Sequence, residues 1–230
     1  MISNQLPRFI CVFCIILFSS AMPIVNQDDD QQKSSLNIVF IGDSITEGGG
    51  PGNPEKTPPV YTTAFLKNEK GIQVNYSNQG HSGYTTVDFL PGKNETFTAI
   101  QHAADSLTKL NSGKLLFSIM LGTNDSAEVG PNGSPVSGEN YRKNLQLIID
   151  DLLKDYPNAV FIVHQPTWYS PTTYNSSRYL EGGLKRLQSY FAEINKLVTD
   201  YKITHPGQVL KGDSDAFNFF KKNHTNHFIT

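Results

Sequence analysis

Asn37-Ile38-Val39-Phe40-Ile41-Gly42-Asp43-Ser44 is the stretch that decides the fold: a short apolar run that stops on a glycine and turns polar at once. Rich in β-branched and aromatic residues and bounded by turn chemistry, Asn37–Ile41 reads as a strand. Moving outward, Val60–Asn68 reads as a helix stopped near Gly71, and Gln73–Ser77 as a second strand. Thr96–Leu110 places Phe97, Ile100, Ala104 and Leu107 at helical spacing. Leu115–Leu121 is apolar apart from Ser118, as a buried central strand should be. Ser137–Tyr156 carries a capping serine, an apolar stripe of Leu145, Ile148, Ile149 and Leu152, and a stop at Pro157. Ala159–His164 is a further strand ended by Pro166, Arg178–Tyr201 a long helix, and Val209-Leu210 a last short strand. This alternation predicts an α/β fold, a parallel sheet covered by helices on both faces. Ligands in such sheets bind beyond the carboxyl ends of the strands. The chemistry is therefore expected just after Ile41, Ser77, Leu121 and His164.

Three of those places carry suitable groups. After the first strand, Gly42 permits a sharp turn and Ser44 would stand at the sheet edge near backbone N–H groups, as an acyl-transfer nucleophile requires. After the second comes Asn78-Gln79-Gly80-His81-Ser82-Gly83, where Gly80 can bring its N–H close to an oxyanion. After the third comes Gly122-Thr123-Asn124-Asp125, in which the Asn124 amide can donate to the same oxygen while Asp125 orders the loop. Taken alone, the Ser44 and Gly80 segments read better as an ordinary turn, helix cap or loop glycine. Their weight lies in the combination: Ser, Gly and Asn, in that order, after successive strands.

Taken together, the blocks Ile41–Thr46, Asn78–Gly80 and Gly122–Asp125 resemble those of the SGNH hydrolases, also called GDSL esterases, over about residues 36–222. The resemblance implies a three-layer flavodoxin-like fold with a parallel sheet. It implies that Ser44 attacks an ester carbonyl while the Ser44 N–H, the Gly80 N–H and the Asn124 amide hold the oxyanion, and that water then releases the acid. It implies no metal or organic cofactor. Acetylated carbohydrates and lysophospholipid-like esters are the substrates it suggests, with His164–Pro171 as a substrate-side loop. One departure stands out. The family ends in an Asp-x-x-His block that supplies the base, and no Asp-x-x-His occurs in this sequence. The positions three residues before His224 and His227 hold Lys221 and His224. His81 and His164 read as cleft lining, His102 and His205 as surface or packing residues. The family's final helix is likewise read as missing, so the C-terminal part of the fold is expected to be incomplete. A truncated product of a competent enzyme is preferred to a naturally impaired relative. These 230 residues are expected to hydrolyse p-nitrophenyl acetate poorly, and addition of a downstream Asp-x-x-His tail to raise the rate.

Composition narrows the partners. Of 230 residues, 38% are apolar and 17% charged, which suits a globular chain, and the net charge of −2 offers no basic field to nucleic acid or an anionic membrane. Arg8, the apolar run Phe9–Phe18 and the small residues Ser19-Ser20-Ala21 read as a secretory signal over residues 1–21, too short for a membrane span. A polar leader over 22–35 and one hydrolase domain over 36–230 follow, in a secreted or extracytoplasmic protein. The only two cysteines, Cys11 and Cys14, lie inside the apolar run and read as small apolar residues rather than a redox or zinc pair. The glycine-rich Gly48–Thr57 segment lacks the glycine before Lys56 that a phosphate loop needs. Asn94, Asn132 and Asn175 are candidate glycosylation sites, and Asn124 is discounted as lying inside the site. The rival reading is a non-catalytic carbohydrate-binding relative, with Tyr61, Trp168, Tyr169 and Tyr174 stacking on sugar faces.

Overall fold

The structure, a computed structural model, describes residues 35–48, 55–92, 95–172 and 177–227. The expected signal, and all of the leader except Ser35, lie outside the described residues. The strands are β1 (Ser35–Gly42), β2 (Gln73–Gly80), β3 (Lys114–Met120), β4 (Val160–Val163) and β5 (Val209–Lys211). They form one parallel sheet in the order β2-β1-β3-β4-β5. Between them run the four-residue helix α1 (Ser44–Glu47), α2 (Pro58–Lys70), α3 (Glu95–Leu110), the short α4 (Thr123–Ser126), α5 (Gly138–Asp155) and α6 (Leu180–Thr204); α7 (Ala216–His227) follows β5.

Alternation within the strands assigns the faces. Val39, Ile41, Phe117, Ile119, Phe161 and Val163 are fully or almost fully buried and pack into the main core with α3, α5 and α6. Phe40, Ser118, Met120 and His164 point the other way, toward Pro58, Pro59 and Thr62 of α2. The helix starts follow capping rules. Thr57 accepts from Val60 N ahead of a Pro58-Pro59 start, and Ser137 accepts from Asn140 N at 3.2 Å. Ser137→Ala should therefore lower stability by about 1 kcal/mol, read as a lower urea midpoint with an unchanged slope.

Two sequence expectations need correction. The second strand does not stop at Ser77 but continues to Gly80, which pairs with Gly42 across the parallel ladder. The polar Asn78 and Gln79 sit on a sheet-edge strand, where polar side chains do not interrupt pairing. A final helix also exists. Asp213 caps its start by accepting from Asp215 N at 2.8 Å and Ala216 N at 3.3 Å. Its buried Phe217 packs edge-on against Phe191 of α6 in a second core cluster that includes Trp168, Tyr169, Tyr179, Leu184 and Leu187. Its lysines, asparagines and histidines disguise an apolar side made of Phe217 and Phe220. No helix among the described residues is long and apolar enough to cross a membrane.

Candidate active site

The carboxyl ends of β1, β2 and β3 lie side by side, so the segments that follow them are neighbours before any side chain is considered. Gly42 closes β1. A side chain there would run into Thr46, which forces glycine and lets α1 fold back against the strand end. Asp43 caps α1 by accepting from Ile45 N at 2.9 Å. Ser44 opens the helix half-buried. Its N–H is one of those a helix start leaves without an intrahelical partner. Among the described residues its hydroxyl has no hydrogen-bond partner.

Side chains link the loop after β2 to the segments after β1 and β3. Glu47 at the end of α1 accepts from Ser82 N at 2.8 Å and from the Ser82 hydroxyl. Two residues on, the Tyr84 carbonyl accepts from Asn124 Nδ2 at 2.8 Å. Next to Asn124, Thr123 lies near enough to Asp43, the residue before Ser44, to lower its carboxyl pKa. A further brace follows: Asp125 accepts from Thr86 N at 3.0 Å and from the Thr86 hydroxyl, which also accepts from Asn144 of α5 at 2.9 Å. Ser44 and Asn124 thus stand on neighbouring strand-end segments, and Asn124 is only 3% exposed. That burial bars a glycan at this sequon.

Both aspartates are fully enclosed. Burial pushes the Asp43 carboxyl up to about 6, against the opposing pull of the Ile45 N–H and the Thr123 hydroxyl. Burial pushes Asp125 up to about 7, against its Thr86 bonds, with the nearby Asp43 charge adding to the rise.

The glycine after β2 is placed differently from expectation. Gly80 is buried in the strand, and its N–H already donates to Asn78 Oδ1 at 3.0 Å. Asn78 Nδ2 in turn donates to the Thr46 carbonyl at 2.9 Å. A Cβ on Gly80 would strike Glu47 N, with Glu47 Cα and Thr46 C at 2.8 Å. Gly80 is therefore glycine because α1 presses on it. Three residues later, Gly83 sits in the turn closed by Tyr84 N to His81 O at 3.2 Å, at φ +81° with open space around it. Among the described residues its N–H has no partner. It lies between the Ser82 contact to α1 and the Tyr84 contact to Asn124. Sequence reasoning passed over it because it ended the strand too early; Gly83 is the first glycine beyond the true end of β2.

None of the histidines whose side chains are described hydrogen-bonds to Ser44, and the His227 side chain lies outside the described residues. His164 is engaged at both nitrogens: Nδ1 accepts from Asp213 N at 3.0 Å, which leaves Nε2–H to donate to Ser118 Oγ at 3.0 Å. Burial lowers its pKa despite the nearby Asp213 carboxylate. His81 lies against the Tyr84 ring at 4.9 Å, and the His224 ring lies 5.0 Å from that of Trp168. His102 is exposed, and His205 bonds to Thr204 Oγ1 at 3.0 Å. The loop expected to face substrate contributes to packing instead. Trp168 and Tyr169 are 7% and 9% exposed, which removes them as sugar platforms; of the other two aromatics, Tyr61 is exposed on α2 and Tyr174 lies outside the described residues. Among the described residues no cluster of three or more His, Cys, Asp or Glu is grouped to hold a metal ion.

A parallel sheet with a serine after β1 and a hydrogen-bonded Asn loop after β3 defines an SGNH-type hydrolase architecture. A sequence profile of the GDSL-like lipase/acylhydrolase family matches residues 40–213, and the chain belongs to that family of ester hydrolases. Among solved structures, AlinE4, an SGNH-hydrolase family esterase, is 18% identical with a TM-score of 0.56, over 86% of this chain and 84% of that one. Axe2, an acetylxylan esterase from Geobacillus stearothermophilus, is 19% identical with a TM-score of 0.54, over 83% and 81%. Both likenesses concern the fold. None of the curated proteins matches the chain.

Proposed function

We propose that this chain is a serine esterase that cleaves carboxylic esters through an acyl-Ser44 intermediate. Ser44 Oγ attacks the ester carbonyl and loses its proton to a base from solution, and that proton returns to the departing alcohol oxygen. The tetrahedral oxyanion takes hydrogen bonds from the Ser44 N–H, the Gly83 N–H and the Asn124 amide. Collapse expels the alcohol, and water then releases the acid and regenerates Ser44. The observation that carries this reading is the pair of hydrogen bonds that tie the loop after β2 to its neighbours, Ser82 to Glu47 beside Ser44 and Asn124 to the Tyr84 carbonyl, with Gly83 between them. Gly83 replaces Gly80 as donor because the Gly80 N–H is committed to Asn78. The aspartates hold the loops and do not touch substrate. Small acyl groups on carbohydrate are the proposed substrates, a choice supported by the shared fold with an acetylxylan esterase. The carbohydrate-binding alternative loses support with the burial of Trp168 and Tyr169.

A general base contributes about 10²- to 10⁴-fold to such a reaction. The described residues give Ser44 none, so hydrolysis of p-nitrophenyl acetate should be slow and should respond to a base added from solution. Imidazole is expected to accelerate the wild type about tenfold beyond its own buffer rate, because a diffusing base recovers part of a positioned base's effect. In Ser44→Ala the imidazole response should equal the protein-free control. Equal responses in the two proteins contradict the reading. Export is part of the same proposal, supported by the composition of residues 1–21. A mature amino terminus at Met22, read by mass spectrometry on exported protein, tests it.

A further inference from the structure

We infer that Tyr179 is a positioning residue that fixes the Asn124 carboxamide with its NH₂ group turned toward the oxyanion; this rests on the esterase reading above. An Asn side chain can flip end for end, and only one of the two orientations donates to an oxyanion. The Tyr84 carbonyl sets the orientation here and the Tyr179 hydroxyl holds it. On one side stands the Tyr84 carbonyl, which can only accept, so Nδ2 must face it, at 2.8 Å. On the other side the Tyr179 hydroxyl donates to Oδ1 at 2.7 Å. Flipping the amide would set Oδ1 against the Tyr84 carbonyl oxygen, two acceptors face to face. One Nδ2 hydrogen is used by Tyr84. The second has no acceptor among the described residues and remains available for substrate.

Tyr179 is itself held firmly. It is 8% exposed, and its ring packs 5.2 Å from that of Tyr169, whose hydroxyl bonds to Ser126 Oγ at 3.0 Å. Arg186 of α6 donates to the Ser126 carbonyl at 2.7 Å, so the start of α6 is tied to α4 at a further point. The residue after Tyr179 shows what this placement demands. Leu180 sits at φ +55°, the one described non-glycine residue in the left-handed region, and its side chain is 38% exposed. Such backbone is rare for a leucine and is held in place by the surrounding structure. Here it accompanies a turn that sends Tyr179 inward and Leu180 outward.

The test uses Tyr179→Phe, which keeps the ring and removes the hydroxyl. In imidazole-supplemented hydrolysis of p-nitrophenyl acetate, kcat should fall about tenfold with KM unchanged, the loss of one buried hydrogen bond acting on the transition state alone. In parallel, the Asn124 side-chain ¹⁵N–¹H₂ resonances, assigned by their disappearance in Asn124→Ala, should form one sharp pair in the wild type and shift and broaden in Tyr179→Phe. An unmoved amide pair overturns the inference, and so does an unchanged kcat. A wild type without esterase activity sinks the esterase reading instead, and the amide resonances tell the two failures apart.

Discussion

Gly80→Ala is expected to lower stability by about 3 kcal/mol, the upper range for forcing an extra methyl into a packed interior. The methyl would meet backbone rather than a flexible side-chain end: Glu47 N, with Glu47 Cα and Thr46 C at 2.8 Å. Relief requires α1 to move away from β2, and α1 carries Ser44. The same substitution at Gly83 meets open space and costs only the left-handed backbone, about 1 kcal/mol. Urea denaturation of both variants distinguishes a glycine kept for close packing from one kept for a turn. Similar losses in the two would mean that α1 does not press on Gly80.

Acidification is expected to stabilise the chain between pH 8 and pH 5. Asp43 and Asp125 are raised to about 6 and about 7 in the folded state from an ordinary 3.8. Between those limits the folded chain keeps protons that the unfolded chain has released, so the stability of the fold falls as pH rises. At about 1.4 kcal/mol per pH unit for each group still protonated, the two together amount to about 4 kcal/mol lost from pH 5 to pH 8. His164 acts in the opposite sense. It is buried neutral, so below its unfolded pKa it favours unfolding, which sets a lower bound to the gain. Urea midpoints across the range should rise toward pH 5, and Asp125→Asn, which still offers Thr86 an acceptor, should flatten the profile. A wild-type profile that rises with pH would contradict the burial that keeps these two carboxyls protonated in the folded chain.

The residues legible in the sequence are those whose roles are local. Ser44 follows a strand that announces itself by its apolar run, and Asn124 follows another, so the order of strands and the first and third loops were open to reading. Gly80 was misplaced because a sheet-edge strand tolerates Asn78 and Gln79, and polarity alone could not mark where pairing ends. Trp168 and Tyr169 looked like exposed platforms because nothing local shows that the His224 ring meets Trp168 and the Tyr179 ring meets Tyr169. Tyr179 was invisible for a related reason: it meets Asn124 across 55 residues of chain. The α7 helix was hidden by its polar content, its apolar side being defined by a distant cluster that includes Phe191 on α6.

The most direct measurement is mass spectrometry of the chain after exposure to a fluorophosphonate in imidazole buffer. A phosphonyl adduct should appear on the peptide that contains Ser44, be lost when the chain is first unfolded in urea, and form about 10²-fold more slowly in Asn124→Ala, the usual consequence of removing one oxyanion donor. An unmodified Ser44 in the folded wild type, or labelling at the same rate in urea, would show that this serine is an ordinary helix-start residue.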